Sequence, residues 1–94
     1  MNETKAKKIA QQEFVKTLER RKDWANISFL PLRLKYETES FWVFSAASPD
    51  LQAQGYVPGA IFFTIDKTDG HRWSNAEIEE YNLAKTVAPE LQAV

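Results

Sequence analysis

The segment GAIFFTIDKTDGHRWSNAEI, from Gly59 to Ile78, decides how this chain folds. Ile61 to Ile65 is almost wholly apolar and rich in β-branched and aromatic residues, a composition that suits a central strand. Asp69-Gly70 is hairpin-turn chemistry, because glycine takes the positive φ such turns need without a Cβ penalty. A short return strand around His71-Arg72-Trp73 then leads into Ser74-Asn75-Ala76-Glu77, which has the spacing of a helix capping box. Trp73 and Ile78 occupy the two positions of a hydrophobic staple, which predicts a structural role for Trp73. The competing reading makes Trp73 an exposed anchor beside His71 and Arg72, since tryptophan and arginine are favoured at binding hot spots.

Upstream, Phe41 to Ala47 is apolar on both faces and reads as a strand interior to the sheet, covered by helix on at least one side. Residues 27–37 read as a strand interrupted by Pro31, which donates no backbone hydrogen bond and so argues for an edge or a bulge. Beyond Pro31, Leu32, Leu34 and Tyr36 alternate with Arg33, Lys35 and Glu37, giving one buried and one wet face. Residues 3–22 read as a helix with Ala6, Ala10, Phe14 and Leu18 as its apolar stripe. Residues 48–58 form the longest irregular segment, with turn chemistry at Ser48-Pro49-Asp50 and Pro58-Gly59. A second helix is expected from Asn75 to about Ala88, ended by Pro89. The pattern predicts one α+β domain over residues 1–94. It has an N-terminal helix, a mostly antiparallel sheet of three to four strands and a C-terminal helix packed on one sheet face. The wet side of residues 32–36 further places both helices on the same face.

At 94 residues with 44% hydrophobic and 13% aromatic content, the chain has the makings of one packed core rather than of a disordered segment. The absence of cysteine excludes disulfides and thiolate metal sites. Met1 to Lys5 lacks the apolar core of a secretory signal, and no apolar run approaches the roughly 20 residues that cross a bilayer. A cytoplasmic protein without membrane contact is the expectation. The net charge of −1 is uneven: residues 1–36 hold nine Lys/Arg and four Asp/Glu, whereas residues 37–94 hold three and nine.

Most site chemistry fails on spacing. Asp66 to Glu77 has the length of an EF-hand loop, but Gly70 and His71 fall where a ligand and the glycine are required. His71 is the only histidine, and Ser74 beside it is better used as a helix cap than as a nucleophile. The three glycines do not make a phosphate loop. No catalytic residue, metal ligand or cofactor is expected. Three readings remain. A protein-binding module would use the 49–58 loop and the acidic second half, with Asp50, Tyr56, Glu77, Glu79 and Glu80 as contact residues, because acidic faces steer basic partners. A nucleic-acid binder would use Lys5, Lys7, Lys8, Lys16, Arg20, Arg21 and Lys22, although a pI near 5.8 argues against it and the last three suit a helix C-terminus. A ligand site would combine Tyr56, Asp66, His71 and Arg72.

Ala60 to Gly70, followed by the capped helix with Glu79-Glu80-Tyr81, resembles the YrhB-like immunity-protein family of small bacterial proteins. The resemblance extends to the plan of helix, strand pair, strand with turn, and helix. It implies a non-enzymatic protein that neutralises a toxin by binding it, and it supplies no catalytic residues. Asp69 before the glycine and the tryptophan at the helix entry depart from the family pattern. Self-association is compatible with this reading.

Overall fold

The computed structural model describes residues 1–93, with side chains through Lys85. Its elements are α1 (Glu3–Arg20), a 3-10 turn (Lys22–Trp24), β1 (Arg33–Glu37), β2 (Phe41–Ala47), α2 (Pro49–Ala53), β3 (Ala60–Asp66) and α3 (Asn75–Ala93). The α+β class and the antiparallel sheet are as the sequence leads one to expect. No helix among the described residues is long and apolar enough to cross a membrane.

The sheet has the order β1-β2-β3, so the central strand is β2 and not β3. Both readings rested on apolar runs, and only β2 is buried along almost its whole length. The outer edge of β3 is closed by the expected return strand, reduced here to a bridge between Ile65 and Arg72. The Asp66 amide donates to the His71 carbonyl at 2.9 Å, and the Trp73 amide to the Thr64 carbonyl at 2.8 Å. Gly70 closes the turn between them at φ 75°, and its missing side chain lets the turn sit against Met1 and Ile9 of the N-terminal helix region.

The strand expected over 27–37 begins only at Arg33. Before Pro31, the Leu30 amide still donates to the Ala47 carbonyl at the end of β2 at 2.8 Å, and Ser28 is held by the start of α2. The Ser28 amide donates to Asp50 Oδ2 at 2.8 Å, and Ser48 Oγ donates to the Ser28 carbonyl at 2.8 Å. The irregular segment 48–58 also contains a helix the sequence reading missed. Ser48 accepts from the Leu51 amide as N-cap, and Pro49 opens the first turn, where its missing N–H costs nothing.

The two long helices lie on opposite sheet faces, which corrects the expectation of a shared face. Ala6 and Ala10 of α1 are fully buried against Trp42, Phe44, Phe63 and Ile65. Phe14 packs edge-on against Phe63, at 5.9 Å between ring centres. The other face carries Phe41 and Val43, with Thr64 opposite Val43. On it, Tyr81 of α3 meets Phe41 at 5.0 Å, and Ile78 lines a hollow together with Val43, Phe62 and Thr64. The cause of the error is one residue. Leu34 pairs with Phe44 but Tyr36 pairs with Val43, so a bulge at Lys35 turns Tyr36 to the α3 side. The alternation that gave β1 one wet face is broken there, and both sheet faces acquire apolar cover.

Helix α3 runs to Ala93, past the stop expected at Ala88. An internal proline removes one hydrogen bond and kinks a helix without having to end it. Val87 and Leu91, expected on its apolar face, lie outside the residues whose side chains are described.

Candidate functional site

The capping box forms as read. The Ser74 amide donates to Glu77 Oε1 at 2.9 Å, and the Glu77 amide to Ser74 Oγ at 3.2 Å. Trp73, at the staple position, is half-buried rather than fully in the core. Its indole Nε1 donates to Asp66 Oδ1 at 3.0 Å, and its ring packs at 4.8 Å from Phe41 and 5.7 Å from Tyr81. The structure therefore gives Trp73 both a structural bond and a partly open face.

Beside it, Asp66, Asp69, His71 and Glu77 form a polar cluster. His71 Nδ1 lies 2.5 Å from Asp69 Oδ1, and Nε2 lies 2.8 Å from Glu77 Oε2. These two carboxylates, Glu77 foremost, raise the His71 pKa to about 8. Glu77 is held below the usual carboxylate range by the Ser74 amide and then by His71, and Asp69 by the amide and then the ring of His71. Burial pushes Asp66 up. Hydrogen bonds from Trp73 and from the Thr68 and Asp69 amides outweigh it and leave this carboxyl lowered. Asp66, Asp69 and His71 are close enough to hold a cation in principle. Each, however, is engaged inside the cluster: Asp66 Oδ2 accepts from two turn amides and both His71 ring nitrogens face carboxylates. The cluster reads as a clasp between the hairpin and α3.

One of several surface hollows, and the one walled by aromatic rings, lies on the α3 side of the sheet. A groove of about 160 Å³ is walled by Tyr36, Phe41, Trp73 and Tyr81. Thr64 lies at its floor and Lys85 at its rim. It continues into an apolar hollow of about 270 Å³ lined by Val43, Phe62 and Lys35. Tyr36 is 51% exposed although it is a large ring on a sheet face. Nothing in the alternation of β1 points to this wall, because Tyr36 reaches it only through the bulge. A tyrosine at the end of an edge strand was the one available signal.

The contact residues expected from the sequence do not form one surface. Asp50 and Tyr56 sit beyond the Ala47–Ala60 end of the β2–β3 ladder, while Glu77, Glu79 and Glu80 lie on α3 near the opposite, Phe41–Asp66 end. Asp50 is half-buried and engaged by Ser28, Glu77 is engaged by His71 and Ser74, and Tyr56, Glu79 and Glu80 are exposed. By the same separation the ligand site combining Tyr56 with Asp66, His71 and Arg72 is not assembled; Arg72 instead stacks over Phe63 at 4.6 Å and approaches Glu13 at 3.8 Å. Of the basic residues, Lys5, Lys7, Lys8, Lys16, Arg20, Arg21 and Lys22 are all exposed. Lys16 pairs with Glu13, and Arg21 pairs with Asp23 while stacking on Trp24. Lys5, Lys8 and Lys16 project to one side of α1 and Lys7 to another, so they form no single stripe. A scan against models of protein families, a search of curated proteins and a search of solved structures each found no match for this chain.

Proposed function

We propose that this protein is a small non-enzymatic module that works by binding another protein, through the aromatic groove between α3 and the sheet. The observation that carries the reading is a hollow walled by buried Phe41 and half-buried Trp73 and Tyr81, with Tyr36 half exposed at its mouth beside a free strand edge. Aromatic side chains in a water-excluding hollow are what binding hot spots are made of. The His71 cluster argues the same way, since its titratable groups are spent on one another rather than aimed at a reacting atom. The resemblance of residues 60–70 and 79–81 to YrhB-like immunity proteins makes a toxin the class of partner.

The test is capture from source-cell extract at low salt, with the wild-type chain and a Tyr36→Ser variant side by side. One protein recovered near stoichiometric yield by the wild type and lost with Tyr36→Ser is the expected result. Recovery of nucleic acid, abolished by substituting Lys5, Lys8 and Lys16, would transfer the function to the basic helix. Recovery of neither at low ionic strength would remove the binding reading.

A further inference from the structure

We propose that the groove receives a tyrosine side chain from an extended acidic segment of the partner, laid along the outer edge of β1. This rests on the protein-binding reading and specifies the chemistry of its partner.

Four features converge. The first is size: a cavity of about 150 Å³ is known to hold one benzene ring, and the groove measures about 160 Å³. The second is its walls. Phe41, Trp73 and Tyr81 stand edge-to-face to one another, with interplanar angles of 62°, 74° and 76°. An inserted ring finds the tilted partners that aromatic pairs prefer. The third is Thr64, which is 7% exposed and makes no side-chain hydrogen bond among the described residues. Its hydroxyl is not sealed from solvent, so it opens into the groove. A ring seated in the groove takes water off this hydroxyl, which costs free energy unless the ring itself brings a hydrogen bond. A phenol meets that need and a phenyl ring does not.

The fourth feature selects a peptide and its charge. β1 ends the sheet, so the backbone groups on its outer side have no strand partner. An extended chain can add there while dropping one side chain over Tyr36 into the groove. Along that route stand Arg33, Lys35 and, at the rim, Lys85. None of the three has a carboxylate partner among the described residues; Lys35 and Lys85 rest on the Phe62 and Tyr81 rings, at 4.6 and 5.3 Å. Acidic residues flanking the tyrosine complement these cations.

The test uses three probes, followed by amide and indole shifts of the intact chain. They are N-acetyl-L-tyrosine amide, N-acetyl-L-phenylalanine amide and N-acetyl-L-tyrosine, which adds a carboxylate. Saturable shifts at Thr64, Tyr81 and the Trp73 indole are expected, with the tyrosine amide binding about five-fold tighter than the phenylalanine amide, the worth of one net hydrogen bond. Thr64→Val, which removes a hydroxyl that supports no internal bond, should keep the fold and erase that difference. Lys85→Gln should erase the gain from the carboxylate. Equal affinity for the two amides in the wild type, or shifts confined to other surfaces, would overturn the proposal. Failure of the probes alongside Tyr36-dependent capture would overturn the tyrosine and leave the binding module standing. Groove shifts without any captured protein would overturn the peptide source and the binding module together.

Discussion

His71 is held by two carboxylates from different elements, Asp69 on the hairpin and Glu77 on α3. Its pKa in the folded chain is raised from 6.5 to about 8. A raised value means the folded state holds the proton more tightly than the unfolded chain. The stabilisation is therefore complete below about pH 6.5 and is lost as pH rises through about 8. Melting temperature should fall across that window in the wild type, and the fall should vanish in His71→Gln; a slope unchanged by the substitution would place the titration elsewhere. Ser74→Ala removes the acceptor for the Glu77 amide and should cost ~1 kcal/mol in urea unfolding. This cap was legible because its spacing is local. The turn of Tyr36 to the α3 side was not, because a bulge at Lys35 is fixed by how β1 pairs with β2 and leaves no mark on the alternation itself.

Among the elements, α2 shows how one residue type can be read two ways. Ser-Pro-Asp suits a turn, yet the same serine caps a helix and the same proline begins one. Ser48 is wholly buried, donating to Ser28 and accepting from Leu51. Ser48→Ala should destabilise the fold by about 2 kcal/mol, because the Ser28 carbonyl and the Leu51 amide both lose a partner. The attachment of α3 depends on Trp73 in the same way, through one hydrogen bond to Asp66 and ring contacts to Phe41 and Tyr81. Trp73→Ala should cost roughly 3 kcal/mol and flatten the near-ultraviolet circular dichroism. A melting temperature near that of the wild type would instead mark the ring as an exposed anchor with no structural share.

At the scale of the whole molecule, the class, the helix–sheet–helix order and the central position of β2 follow from periodicity and from which strand is apolar on both faces. Which face each helix covers does not, since a single inserted residue exchanges the faces of everything beyond it in that strand. The charge asymmetry was legible too, but its consequence depends on placement. The exposed cations of α1 are spread around the helix and partly paired, so labelled DNA and RNA should show no mobility shift at low ionic strength; a shift that weakens steeply with salt would restore the nucleic-acid reading. The groove exists only if α3 lies on the face opposite α1. Proton–proton contacts between aromatic rings measure this most directly. The Tyr81 ring should show cross-peaks to Phe41 and Trp73 and none to Phe14, Phe44 or Phe63. Cross-peaks from Tyr81 to Phe44 or Phe63 would put both helices on one face and contradict the groove.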